Sequence, residues 1–109
     1  GARVDPDFGP LVVYGFGGIL VELLKNVAVS LAPVPRQEVL EQLAQLQLAP
    51  LLQGYRGFEP ADIGRFADQV VRISHLIQQN PWMAEIDINP VILSKDSAIA
   101  VDALITMQA

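Results

Sequence analysis

No cysteine occurs among the 109 residues, which excludes disulfides, thiol nucleophiles and thiolate metal sites and agrees with a cytoplasmic location. Long apolar runs are missing as well. None reaches the length needed to span a bilayer, and no charged segment precedes a hydrophobic core, so no membrane partner is expected. Cations are few: seven Lys and Arg, scattered along the chain, stand against twelve Asp and Glu, for a net charge of −5 and a pI near 4.5. Nucleic acid is thereby excluded as a partner. No internal repeat or low-complexity tract is visible. What the chain has in abundance is apolar side chains, 51% of residues with a mean hydropathy of +0.37. That is high for one domain of this length, whose core is modest. One surface is expected to pack on something outside the chain, or to drive self-association.

The densest chemistry lies in Glu85-Ile86-Asp87-Ile88-Asn89-Pro90 and in Asp102. From Ala84 to Leu93 polar and apolar residues alternate, the period of a strand with one polar and one apolar face. A second alternating run, Ala98 to Ile105, follows the polar turn Ser94-Lys95-Asp96-Ser97. If Ser94 faces Ser97, Leu93 faces Ala98, Val91 faces Ala100 and Asn89 faces Asp102. Directly opposed side chains lie about 5 Å apart at Cβ. An amide oxygen and a carboxylate then stand side by side, with Asp87 on the same face opposite Leu104. Hard oxygen ligands on a rigid hairpin suit Mg²⁺ on a nucleotide phosphate. The plainer reading is a solvated strand face. Against it, Asp and Asn are poor strand formers, and two carboxylates on one face repel unless a cation or donor separates them. The apolar parity, Ile86, Ile88 and Ile92 with Ile99, Val101 and Ile105, is expected to pack beneath helices.

Elsewhere, Asp5 to Pro10 form a turn, and Leu11 to Phe16 read as a buried strand running into Gly15, Gly17 and Gly18. Ile19 to Leu24 fit helix or strand. Asn26 to Ala32 alternate and are expected to pair with the 11–16 strand. A helix starting near Pro35, a favoured first-turn residue, carries Val39, Leu40, Leu43 and Leu46 and ends before Pro50. After the glycine-flanked loop Gly54-Tyr55-Arg56-Gly57, a second helix starts at Pro60. It carries Ile63, Phe66, Ala67, Val70, Val71, Ser74 and Ile77 and stops at Asn80-Pro81. The expected fold class is α+β, a largely antiparallel sheet with two helices on one face, in the order ββααββ.

Five motifs now stand in sequence order: Asp5-Pro6-Asp7-Phe8-Gly9-Pro10, Gly17-Gly18-Ile19-Leu20-Val21-Glu22, Gly54-Tyr55-Arg56-Gly57, Glu85-Ile86-Asp87-Ile88-Asn89-Pro90 and Ala100-Val101-Asp102-Ala103. Together they resemble the ATP-grasp region of ADP-forming acyl-CoA synthetases, relatives of the succinyl-CoA synthetase β subunit. The resemblance covers nearly the whole chain. It implies that residues 1–109 are a single domain, the C-terminal segment of an ATP-grasp domain and a fragment of a larger protein. It also implies ATP or ADP and Mg²⁺ as cofactors. The CoA-binding and phosphohistidine-bearing domains would be partners, in the same protein or on another subunit. The reaction implied is acyl-CoA + ADP + phosphate ⇌ carboxylic acid + CoA + ATP, with this chain alone inactive.

Residue by residue, the resemblance makes Asn89 and Asp102 metal ligands and Asp87 the acid that meets the phosphohistidine loop. Gly17 and Gly18 match the glycine pair of a nucleotide-site motif, where a backbone without Cβ turns sharply, and Glu22 matches that motif's acid. One departure stands out: Leu104 occupies the place where family members commonly carry arginine. It favours the alternative reading, a degenerate non-catalytic ATP-grasp module as in acetyltransferase fusions. Three other residues invite attention. His75, lone and mid-helix, reads as structural or solvent-facing rather than phosphorylated. Arg56 suits either phosphate contact or anchoring of the helix connection. Trp82 reads as a packing residue.

Overall fold

In the computed structural model, described over residues 1–16, 26–46, 49–54 and 60–108, the sheet and helices segregate as the sequence pattern requires. Four strands build most of the sheet: β1 (Ala2–Asp5), β2 (Gly9–Gly15), β3 (Val27–Leu31) and β4 (Met83–Ile88). With β7 (Ala103–Met107) they form five strands in the order β3-β2-β1-β4-β7, every neighbour antiparallel. The expected pairing of β2 with β3 is present, Leu11 against Leu31 through Gly15 against Val27. β1 is the strand that the alternation did not show. Its four residues are too few to carry a period, yet it sits at the centre of the sheet, between β2 and β4.

Among the described residues, three helices lie between β3 and β4: α1 (Arg36–Ala44), the single turn α2 (Ala49–Leu52) and α3 (Ile63–Gln79). Pro35 precedes α1, with its fixed φ of −69° suited to helix entry. At α3 the Asp62 carboxylate accepts from the Arg65 backbone N–H at 3.0 Å, satisfying one of the donors that a helix start leaves unpaired. The helix therefore begins at Ile63 rather than Pro60, and it ends at Asn80, before Pro81, as expected. Both stripes face inward. Val39 and Leu43 of α1 and Ala67, Val70, Ser74 and Ile77 of α3 are buried, with Leu40, Ile63, Phe66 and Val71 packed around them. They close over the sheet face that carries Val12, Tyr14, Ala28 and Ile86. Ile19 to Leu24 and Tyr55 to Gly57 lie outside the described residues.

The hairpin keeps its predicted register and loses its predicted continuity. Val91 pairs Ala100, Ile92 pairs Ile99 and Leu93 pairs Ala98, so β5 (Val91–Leu93) and β6 (Ala98–Ala100) form the tip. Asp87 pairs Leu104 and Ile86 pairs Ile105 in the stem. Between tip and stem the ladder breaks, because Pro90 has no N–H to donate. The break also exchanges the two faces. Ile86 is buried and Ile88 is packed on the core in the stem, whereas in the tip Val91 and Leu93 are half-buried and Ile92 is exposed. Ile92, Ile99 and Val101 therefore do not pack beneath the helices, and Ile105 is 47% exposed. The tip is tied to α3 instead, through Asp62 N–H to Ser94 O at 2.7 Å and Gln69 Nε2 to Ala98 O at 2.6 Å.

Candidate functional site

The break in the hairpin is where the candidate ligands stand. The Asn89 backbone N–H donates to Asp102 O at 3.1 Å, and Val101 N–H donates to Pro90 O at 3.0 Å. These two bonds bridge tip and stem and hold Asn89 opposite Asp102 where no regular ladder exists. Asp102 Oδ1 accepts from the Ala103 backbone N–H at 2.9 Å, which orients the carboxylate and leaves Oδ2 available. The Asn89 side chain makes no hydrogen bond to any described residue. Both residues are exposed. So is Asp87, two residues along β4, paired with Leu104 and lying close to the Gly1 backbone.

The register places Asp87 on the sheet face away from the helices. Ile86 points into the core, so its neighbours Glu85 and Asp87 point outward. Arg3 lies directly across from Glu85, bringing a cation to the same acidic face. Sequence reading missed Arg3 because β1 carries no usable period. The signal that could have found it is charge: it is the one cation immediately before the Asp5-Pro6-Asp7 turn.

A cavity of about 830 Å³ opens beside the hairpin. Tyr14, Phe16, Phe66, Val70 and Ile73 form much of its wall, and Asp87 and Asn89 are among its lining residues while Asp102 is not. Its size is that of ligand pockets in general, whose walls are mostly apolar with a few placed polar groups. Tyr14 is buried, its hydroxyl 2.9 Å from Ser30 Oγ, and Gln42 Nε2 donates to that same Ser30 oxygen at 3.1 Å. Burial pushes the Tyr14 phenol above its usual range, and the negative charge of Glu38 adds to the shift. Asp5 shifts the other way. Its Oδ1 accepts from the backbone N–H groups of Phe8 and Asp7 at 3.0 and 2.8 Å, and these bonds hold its carboxyl below the ordinary value. That carboxylate closes the β1–β2 turn.

The other candidates fall out differently. Gly17, Gly18 and Glu22, and with them Arg56, lie outside the described residues. His75 is exposed on α3, as expected of a solvent-facing residue. Trp82 is not a packing residue: it is 50% exposed, with Nε1 donating to Asn80 Oδ1 at 3.2 Å. Among the described residues no three His, Asp or Glu side chains are grouped to hold a metal ion. The Asn89–Asp102 pair still fits magnesium, which takes one or two protein oxygens and completes its shell with phosphate and water. No helix among the described residues is long and apolar enough to cross a membrane.

An antiparallel sheet backed by helices on one face, with acidic and amide groups on the hairpin at its edge, defines the class. The chain belongs to the ATP-grasp domain family, whose model matches residues 1–107. Among curated proteins it is 46% identical over 99 residues to the β subunit of ADP-forming acetate–CoA ligase I from Pyrococcus furiosus, a match covering 91% of this chain and 43% of that subunit. A trans-feruloyl-CoA synthase from an unidentified prokaryote is 38% identical over 110 residues, covering 99% of this chain and 16% of the relative. Among solved structures, an acetyl-CoA synthetase from Ca. Korarchaeum cryptofilum superposes with a TM-score of 0.91 at 36% identity, over 98% of this chain and 50% of that one. That protein was solved with coenzyme A and Mg-AMPPCP, its phosphohistidine segment pointing towards the nucleotide-binding site. The chain thus spans half or less of each of these proteins.

Proposed function

We propose that this chain is the later part of the ATP-grasp domain of an ADP-forming acyl-CoA synthetase and supplies the metal-binding edge of its nucleotide site. The observation that carries the reading is the backbone pairing of Asn89 with Asp102 across the ladder break. It brings an amide and a carboxylate together on a rigid hairpin, in a chain 46% identical to an acetate–CoA ligase β subunit. The Asn89 amide oxygen and Asp102 Oδ2 would hold Mg²⁺. Bound there, the ion would offset the charge of nucleotide phosphates during phosphoryl transfer.

The chain's own side chains do the positioning. Asp102 is kept in orientation by Ala103 N–H, so little side-chain entropy remains to be lost on coordination. Asp87, on the outward face of β4, offers an acceptor to the imidazole N–H of a phosphohistidine segment that docks beside the nucleotide. Gly17, Gly18 and Glu22 would complete the nucleotide side of the site. The CoA-binding and phosphohistidine domains would lie in the rest of the protein or on a partner subunit. The reaction would be acyl-CoA + ADP + phosphate ⇌ carboxylic acid + CoA + ATP.

Asp102→Asn in the full-length protein tests this. The amide retains an acceptor for Ala103 N–H, and the site is exposed, so folding stability should move by less than about 0.5 kcal/mol. Phosphoryl transfer should fall at least a hundredfold. Near-normal turnover at saturating Mg²⁺ would remove the metal assignment. A second reading has one observation in its favour. Leu104, 67% exposed, stands directly opposite Asp87 where the synthetases commonly carry arginine. A non-catalytic module of an acetyltransferase fusion would tolerate that loss, and it would bind nucleotide without turnover in the full-length protein.

A further inference from the structure

The hairpin tip is a body of its own. β5 and β6 form a separate two-stranded sheet of three residue pairs, and a lone pair of strands is marginally stable at best. Its hydrogen-bonding phase also differs from that of the stem. Ser94 N–H donates to Ser97 O and Val101 N–H to Pro90 O, so the bonded positions on the first strand of the tip are even-numbered. At the end of the stem Asn89 N–H donates to Asp102 O, an odd-numbered position. The phase changes between Asn89 and Pro90, where the two faces exchange as well.

Both candidate metal ligands therefore sit at the joint. Pro90 holds its own φ, so a rotation of the tip against the stem is taken up largely by the torsions of Asn89, Val101 and Asp102. Such a rotation moves the Asn89 amide relative to the Asp102 carboxylate, which Ala103 N–H holds to the stem.

What fixes the tip is α3. Asp62 N–H donates to Ser94 O at 2.7 Å, just past the end of β5. Gln69 Nε2 donates to Ala98 O at 2.6 Å, at the start of β6. Ser94 and Ser97 are a bonded pair, so the next pair, Leu93 with Ala98, is not, and Ala98 O points off the ladder to where Gln69 meets it. Asp62 and Gln69 are two helical turns apart and share one face of the helix. One tie per strand, together with the joint, gives three points of attachment, the number that fixes a rigid body. The Asp62 tie runs from main chain to main chain. Gln69, half-buried, is the side chain that supplies the other.

We propose that Gln69 is a positioning residue for the metal pair: its amide holds the tip against α3 and thereby sets the spacing of Asn89 and Asp102. The proposal rests on the reading of those two residues as Mg²⁺ ligands. Gln69 acts through the Ala98 carbonyl and the strand that runs from there to Asp102.

Gln69→Met in the full-length protein tests this. Methionine keeps the length and the helix preference of glutamine and removes the donor. Calorimetry reads ADP affinity with and without saturating Mg²⁺, and the ratio of the two is the gain the metal supplies. Gln69→Met should lower that gain about tenfold, as loss of a group behind a metal ligand does, while ADP affinity without Mg²⁺ stays within about twofold. A residue that only supported the fold would lower both affinities or neither. Hydrogen exchange read by mass spectrometry should show residues 89–101 exchanging about tenfold faster with α3 unchanged, since opening of the tip needs no global unfolding. Asp102→Asn, measured in parallel, separates the two readings. If it abolishes the gain and Gln69→Met leaves the gain intact, the positioning role is wrong and the metal pair stands. If Asp102→Asn leaves the gain intact, the metal pair is wrong and Gln69 has nothing to position. Unchanged exchange across residues 89–101 in Gln69→Met would also overturn the proposal.

Discussion

Ser74 offers the sharpest test of what holds the helix layer to the sheet. It is fully buried on α3, where its hydroxyl donates to Val71 O at 2.7 Å and accepts from the Val34 backbone N–H at 3.0 Å. Val34 is itself buried, in the segment joining β3 to α1, so one hydroxyl spans 40 residues of sequence. Ser74→Ala removes two bonds of unequal weight. The Val71 carbonyl keeps its place in the helix ladder and loses little. Val34 N–H is left in the core without an acceptor, which costs about 1–3 kcal/mol. The cavity left by a single hydroxyl is too small to add much. For a domain of this size about 2 kcal/mol lowers Tm by roughly 10 °C. Urea denaturation should show the midpoint falling with m unchanged. Breaking the Arg36–Asp68 ion pair with Arg36→Ala supplies the contrast. The pair is short, 2.8 Å, but both side chains are half-exposed, and exposed pairs contribute about 0–1 kcal/mol. If Ser74→Ala costs under about 0.5 kcal/mol, or no more than Arg36→Ala, Val34 N–H has found another partner and the argument fails.

Gly15 adopts φ +151°, and a Cβ there would overlap the Asn26 carbonyl oxygen and come within 2.8 Å of Val27 Cα. Gly15→Ala should therefore destabilise by about 3 kcal/mol or more, readable as an early thermal transition. The raised Tyr14 phenol makes a pH prediction. A group that binds its proton more tightly when folded contributes full stability below the unfolded value near 10. That contribution is lost as pH rises through the folded value. Stability should decline above pH about 10, and Tyr14→Phe should flatten the decline relative to the parent chain. A slope unchanged by the substitution would mean that Tyr14 is not the group responsible.

The local order of interactions was legible from residues alone wherever one force dominated over a long enough stretch. The α3 stripe is apolar at helical spacing from Ile63 to Ile77, and burial followed it. The Ser94–Ser97 turn set the pairing of Asn89 with Asp102, since a short turn admits few registers and side-chain parity punishes a slip. The five motifs carried the family. Three things waited for the tertiary structure. β1 became a central strand because β2 and β4 flank it, not through any pattern of its own. Ile92, Ile99 and Val101 stayed outside because Pro90 breaks the ladder and exchanges the faces, and alternation read across such a break assigns the wrong side. Finally, nothing at Gln69 in the sequence marks a partner at Ala98, 29 residues away; that bond exists because the hairpin tip folds back on α3. Periodicity reports which side chains share a face; only the packed sheet decides what, if anything, lies against that face.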